Sequence, residues 1–494
     1  VQLPISVSLQ KIYREKQRLL DKDSLALLHT AAVLGDPLRP DILEVVSGLN
    51  AQQTTNALEE LEKAGILHPA REENLGASYV FAHEKIREVV LRDLSAARRR
   101  LLHLRTAGAL EARSGQGNPA LTSVVAGHYE AAGELLTAFR YWVRAGMYAR
   151  SLYSLSEASQ AFERAEALLL HIEYQLADED IYRLYTPWAV LLYDHALLPQ
   201  AYNLYLRLSQ NGLKRNSPLL LGAGLSGTAY IRGDQGEFEH GLANINNAIT
   251  YLENAGNPVE LIDAYNRRIV LLMRTMQYGQ ALEASESLLQ RMRAVTDEEA
   301  LAALLHTRIE MALLRLYSGY PAEAVRLGEE TLTVLQGMMR MNSSVWARVS
   351  LSLALIYTGQ YKQALAHATV GYQAGLTMKN WWLVAWFSMV RGRANLAMGR
   401  IDESWKALDE ALRTCEEHDI RELLVEIQCV LGEFYRLLDM QDAAALVYQA
   451  AVESKYPGKA MLDAKYRLGS LLVRRGEVER GMQMVQETII EARK

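Results

Sequence analysis

The sequence predicts an all-α chain of helical hairpins stacked end to end with a period near 40 residues, behind a small N-terminal domain of short helices and one β-hairpin. Three observations predict it. Small residues recur at a nearly constant interval, and glycines fall at a fixed place between them. The flanking segments carry apolar residues at three- and four-residue spacing with no strand-like alternation.

Residues 1 to about 115 lack the period. Their pattern predicts helices around Asp23 to Val33, Pro40 to Val46 and Gln52 to Ala64, with a break at Gly65. Two β-prone stretches, Ile66 to Pro69 and Ser78 to Phe81, flank the turn-forming Glu73-Asn74-Leu75-Gly76, and helical patterning resumes at His83. Three helices and a β-hairpin wing make a winged-helix-like unit. Residues 116–175 then form entry helices, in which Ala126, Tyr129, Ala138, Trp142 and Ala145 share a spacing with Gly146, Ala149, Ala158, Phe162 and Ala165. Because Ala138 and Ala158 are only 20 residues apart, one helix around Phe139 to Ser151 must serve two hairpins.

The regular array occupies 176–494. Its anchors are Ala201, Gly241, Ala281, Ala324, Ala364, Ser404, Ala444 and Gly481, in steps of 40, 40, 43, 40, 40, 40 and 37. Twelve residues before each stand Ala189, Ala229, Ile269, Ala312, Ser352, Gly392, Gly432 and Gly469, all small but Ile269. Two small positions per repeat imply two closely touching helices. Five residues before the anchor, Gly236, Gly319, Gly359, Gly399 and Gly476 sit where a left-handed residue would end the first arm. These marks resemble the tetratricopeptide repeat, which implies a right-handed superhelix; the long period approaches that of HEAT-type repeats, the alternative packing.

Composition narrows the function. Half the residues are hydrophobic, 22% are charged and the net charge is −5, which suits an ordinary folded protein. The Arg98-Arg99-Arg100 cluster lies in a helical pattern and reads as a solvated face, and Asp41, Glu44, Glu59, Glu60 and Glu62 would repel phosphates from the second and third helices, so no direct nucleic-acid contact is expected. Cys415 and Cys429 support neither a disulfide framework nor a zinc site and fit a reducing cytoplasm. The longest strongly apolar run, Trp381 to Val390, is half a membrane span, so no membrane association is expected. No phosphate-loop, serine-elbow or zinc-protease pattern occurs, so no catalytic machinery is expected. The start at Val1, in mid-pattern, suggests a fragment of a longer polypeptide, expected to be monomeric.

Three stretches in order, Leu27 to Gly35, Ala57 to Leu67 and Phe81 to Glu88, resemble the winged-helix region of STAND-class signal-transduction ATPases, the family of plant immune receptors and the bacterial maltose-regulon activator. With the repeat array, the resemblance covers essentially the whole chain. It implies a nucleotide-binding domain before this region in the same parent chain, with ADP or ATP as the parent's cofactor. It implies too that the array senses an inducer and that the parent regulates transcription. Ala82-His83-Glu84 matches the family's Met-His-Asp motif only at its histidine; the resemblance implies that His83 contacts the β-phosphate of ADP and helps hold the closed state, the alternative being a histidine that caps or packs at the helix start.

In tetratricopeptide arrays the first arms line a concave wall. The residue six before the first small position is His306, Trp346, Trp386 and Glu426 in successive repeats, and Asp263, Asn266, Arg274, Tyr317, Tyr357 and Arg393 map to the same wall. That mixture of aromatic faces and hydrogen-bonding groups suits an inducer of unknown identity, small molecule, peptide or protein; the alternative is inter-repeat packing, expected for Trp381, Trp382 and Phe387. Two other functions stay open on this sequence: a free-standing tetratricopeptide scaffold or co-chaperone that binds peptides, and an enzyme with a helical-repeat accessory region.

Overall fold

A computed structural model describes residues 14–70, 78–114, 119–338, 341–454 and 458–492. The chain divides into two compact units, Val1–Leu184 and Tyr185–Lys494. The expected turn at Glu73-Asn74-Leu75-Gly76 lies outside the described residues.

In the first unit the helix Lys22–Leu34 starts at Asp21, whose carboxylate accepts the Ser24 amide at 2.7 Å, and stops at Gly35, with φ of 78°. Helices Pro40–Ser47 and Ala51–Lys63 follow. The second opens with a reciprocal cap: the Gln53 amide donates to Asn50 Oδ1 at 2.9 Å and the Asn50 amide donates to Gln53 Oε1 at 3.1 Å. Strands Leu67–Pro69 and Tyr79–Phe81 pair antiparallel with Leu67 opposite Phe81, and Leu38 adds a single bridge to Tyr79. Helix Glu84–Asp93 closes the module over Leu27, Leu28, Leu43, Leu58, Leu61, Ile66, Phe81 and Val90. Each such buried apolar side chain contributes about 1.5–3 kcal/mol of transfer free energy before entropy is counted.

Helices Ala96–Ser114, Thr122–Ala131, Leu135–Ser151 and Leu155–Ile172 then pack each on the next. The helix Leu135–Ser151 therefore serves two neighbours, as its two overlapping sets of small residues predict. A Cβ added at Gly146 would stand 2.6 Å from the Phe162 ring, so the glycine is the hole that admits it.

In the second unit, hairpins run from Pro218 to Ala492. Their first arms are Pro218–Asp234, Pro258–Arg274, Glu298–Tyr317, Met341–Tyr357, Trp381–Ala397, Arg421–Leu437 and Lys459–Arg474, each followed by a second arm three to four residues on. The turn is more uniform than its sequence. The five predicted glycines have φ between 74° and 92°, and where glycine is missing Ala196, Met276 and Asp439 take φ of 59°, 59° and 60°. The hairpin's closure imposes a left-handed residue there whatever the side chain.

Small positions work as holes for bulky ones. An added Cβ would stand 2.6 Å from Leu408 at Gly392 and 2.3 Å from Tyr448 at Gly432; both bulky residues follow the second small position by four and are fully buried. The repeat is thus a spacing of hole, turn, small residue and knob. Successive first arms pack on one another, and among the described residues no comparable packing joins successive second arms. First arms therefore lie on the inside of the curve. Consistent with that, a Cβ added at Gly458, just before the last first arm, would stand 3.2 Å from the carbonyl of Arg274, which ends a first arm five repeats earlier.

Candidate functional site

The inner wall of the second unit is built by side chains on the exposed faces of these first arms. At its N-terminal end, Arg267 donates to Glu260 at 3.1 Å and to Ser226 at 2.6 Å and lies 5.7 Å from the Tyr205 ring centre. With the Glu260 side chain wholly inaccessible, this is a buried ion pair that ties neighbouring repeats together. Asp263, one turn before Arg267, is pushed up to about 7 by burial and by the charge of Glu260, against the pull of Arg267.

The next first arm carries His306 and Glu310 one turn apart. Burial holds His306 down at about 4, so its imidazole is neutral, one donor and one acceptor. Burial pushes Glu310 up to about 7 although the Arg274 guanidinium opposes it. Arg274 itself pairs with Asp234 and lies 5.6 Å from the Tyr230 ring centre. These two first arms thus carry two carboxyls raised by burial above the ordinary carboxylate range and a neutral imidazole. Such groups accept or donate hydrogen bonds to an incoming molecule and adjust their charge as it binds.

Further along, aromatic rings meet. Trp346 packs against Trp382 with centres 5.4 Å apart, and Trp382 stacks on Trp386 at 5.2 Å and 11°. The Tyr278 and Tyr317 centres lie 6.0 Å apart, and Arg393 sits 5.1 Å from the centre of Tyr357.

The residues named from sequence separate into three groups. His306, Arg274, Tyr317, Tyr357 and Arg393 all lie on first arms and none is fully buried, with Tyr357 52% exposed and Arg393 paired to it. Asn266 is consumed in packing: its Nδ2 donates to the Ala303 carbonyl at 3.1 Å, and its Oδ1 accepts from Thr307 at 2.7 Å. Trp386 is 4% exposed inside the hydrophobic core, so its repeat position does not make it a surface ligand contact; Trp346, half-buried, is the more accessible of the two. A repeat position fixes the direction of a side chain, but here Trp382 fills the space in front of Trp386. Phe387 is fully buried beneath Gly371, and Trp381 stacks on His418 at 4.5 Å and 6°.

His83 lies apart, in the first unit. It occupies the N-cap of Glu84–Asp93 in an extended conformation, makes no capping hydrogen bond and is exposed. Beside it, Glu84 pairs with Arg87 at 3.0 Å, and Arg87 Nε donates to the Ala32 carbonyl at 2.9 Å. The imidazole is therefore not used in capping or packing.

Sequence reasoning missed Glu310, Tyr278 and Lys459. Glu310 could have been found as the polar residue two before the small Ala312. Lys459 has no local signal for a ring contact, because Tyr317, the ring it faces, lies four repeats earlier. Surface clefts of about 460 and 360 Å3 occur elsewhere, the larger lined by Arg140, Arg144 and Arg183 and crossed by the Arg140–Asp180 pair at 3.1 Å. Among the described residues no group of three or more His, Cys, Asp or Glu is placed to hold a metal, Cys415 and Cys429 form no disulfide, and no helix is long and apolar enough to cross a membrane.

No family model matches the chain, and no curated protein matches it. Solved structures do. A Rap protein complexed with competence and sporulation factor is 13% identical, covering 74% of this chain and 94% of that one with a TM-score of 0.51. A STAND protein with a tetratricopeptide-repeat sensor from Pyrococcus horikoshii is 13% identical with a TM-score of 0.40; the match covers 100% of this chain and spans 66% of the length of that one. Aspartyl phosphate phosphatase F from Bacillus subtilis is 13% identical, covering 72% of this chain and 93% of that one, with a TM-score of 0.44. At such identities the likeness shows the fold alone: a tetratricopeptide-like helical repeat.

Proposed function

We propose that this chain is the regulatory, inducer-sensing part of a STAND-class ATPase that controls transcription. In this reading residues 1–115 are a winged helix, 116–175 an entry segment and 176–494 the sensor array. The winged helix helps hold the ADP-bound closed state, and the inner wall of the array receives the inducer. The observation that carries the sensing role is the wall itself. Asp263, His306 and Glu310 stand partly exposed on two successive first arms, in protonation states that burial has displaced toward neutrality. Ionisable groups held this way cost folding free energy, and a ligand that hydrogen-bonds to them recovers part of it. Lacking a phosphate loop, the chain does not hydrolyse ATP by itself.

His83 supports the nucleotide half of the reading. Its side chain is exposed at a helix start and committed to no cap, which leaves an imidazole donor for a phosphate oxygen.

Thermal-shift screening of sugars, nucleotides and peptides tests the sensor. A true inducer raises Tm, and His306→Ala or Glu310→Gln removes the rise; an inducer that shifts both variants as it shifts the unchanged protein overturns the assignment. In a longer chain carrying the nucleotide-binding domain, His83→Ala speeds ADP release and raises inducer-independent activity. An unchanged ADP off-rate removes His83 from the reading.

A further inference from the structure

Four repeats after the helix Glu298–Tyr317, the array brings a cation back against it. Gly458, with φ of 130°, passes the backbone beside the Arg274 carbonyl, and the next residue opens the helix Lys459–Arg474. There Lys459 Nζ lies 5.4 Å from the centre of the Tyr317 ring, whose own neighbour Tyr278 is centred 6.0 Å from it. The same ammonium donates to Asp463 at 2.7 Å. Burial pulls the Lys459 ammonium toward neutrality, but Asp463, Glu426 and Tyr357 together more than reverse this, so both Glu426 and the Tyr357 ring lie within electrostatic reach.

Aromatic faces with an acidic residue are the chemistry that recognises an alkylammonium. The surroundings are supplied by several repeats: Tyr278 opens the second arm of one, Tyr317 ends the first arm of the next, and Glu426 lies in the first arm of a later one. The occupant is not locked in. Its side chain is 38% exposed, and its closest anion, Asp463, lies one turn on in its own helix. Lys459 can leave the rings and keep that ion pair, so withdrawal costs little Coulomb energy and leaves Glu426 and the Tyr278 and Tyr317 rings for another cation.

We propose that Tyr278, Tyr317 and Glu426 form an ammonium-binding cage, that Lys459 is its resting occupant, and that a lysine side chain of a peptide inducer competes with Lys459 for it. The competition rests on the inner wall being the sensing surface; the cage does not.

Lys459→Ala empties the cage, and n-butylammonium is the probe, with n-butanol and equimolar sodium chloride as controls. The amine raises the Tm of Lys459→Ala saturably, by about 2 °C or more over its effect on the unchanged protein. Butanol does not, Lys459→Met, whose side chain fills the cage, gains nothing, and adding Tyr317→Leu to Lys459→Ala abolishes the gain. Equal effects of amine and butanol, or a gain that survives Tyr317→Leu, overturn the cage. For the competition, a fluorescent trilysine peptide binds Lys459→Ala at least about tenfold tighter than the unchanged protein, a difference of about 1.4 kcal/mol. Equal affinities overturn competition while leaving the amine result to decide the cage, and neither readout depends on whether an inducer is found by screening.

Discussion

Gly432→Ala sets two effects of opposite sign against each other. In an exposed helix interior the change stabilises by about 1 kcal/mol through helix propensity. Gly432 is buried in Arg421–Leu437, and the new Cβ would stand 2.3 Å from Tyr448 Cε1 and 2.7 Å from two further ring atoms. Ordinary contact needs more than 1 Å of extra room. The Tyr448 ring is fully buried in a cluster with Leu468, Leu471 and Leu472 and has no free direction of retreat. Overpacking of this kind costs about 1–3 kcal/mol, and a rigid ring with no escape belongs at the upper end, so the net is about 2 kcal/mol of destabilisation. In a Tyr448→Leu background the ring atoms are gone, and Gly432→Ala becomes neutral or gains up to about 1 kcal/mol, a coupling of about 2–3 kcal/mol. Urea unfolding followed by circular dichroism measures the total, and hydrogen exchange over 421–453 locates it, since repeat arrays open piecewise. Gly108→Ala, a helical glycine with nothing within 4 Å of its added Cβ, is the control and gains about 1 kcal/mol. If Gly432→Ala stabilises, or has the same effect with leucine at 448, the hole-and-knob account of the repeat is wrong.

At the turn, Ala196→Gly relieves a left-handed alanine at φ of 59° and raises stability by about 1 kcal/mol, measured as a higher urea midpoint; a lower midpoint would show that the side chain contributes more than the strain costs. Glu310→Gln gives a pH-dependent gain. With its folded pKa raised to about 7, Glu310 binds its proton more tightly folded than unfolded, so its cost to stability grows from the ordinary carboxylate range up to pH 7 and is full above it. The variant is accordingly stabilised by about 3 kcal/mol at pH 8 and by less than about 1 kcal/mol at pH 5, and a gain independent of pH would mean that the carboxyl is not strained. Arg267→Ala leaves the inaccessible Glu260 without its ion pair and costs about 3–5 kcal/mol, whereas Arg267→Met with Glu260→Gln recovers most of it; equal losses in both variants would place the effect in packing instead of charge.

Much of the fold was legible because the repeat's requirements are local. A hole at Gly432 and a knob at Tyr448 are sixteen residues apart, and the turn between them is constrained by the closure of one hairpin, so each repeat writes the same spacing. The signal is imperfect where physics tolerates substitutes: Met276 and Asp439 pay left-handed strain that glycine would avoid, and the sequence motif disappears although the geometry persists. The helix Leu135–Ser151 was legible as shared because its two sets of small residues overlap within one helical span.

The inner wall was only partly legible, since repeat position gives a side chain's direction and not its company. Position alone makes Trp346 and Trp386 equivalent, yet Trp382 stacks on the second and seals it at 4% exposure. Asn266 points correctly and is spent on Ala303 and Thr307 of the next first arm. The surroundings of Lys459 could not be read at all from one repeat, because Tyr317 and Tyr278 reach it only through the accumulated curvature of four and five repeats. A small change in the angle between neighbouring hairpins shifts Lys459 relative to Tyr317 by the sum of the intervening steps, whereas the hole-and-knob contacts inside each hairpin hardly move. Contacts that close over the wall are therefore its most angle-sensitive element, and a ligand lying across several first arms acts on them before it disturbs any core.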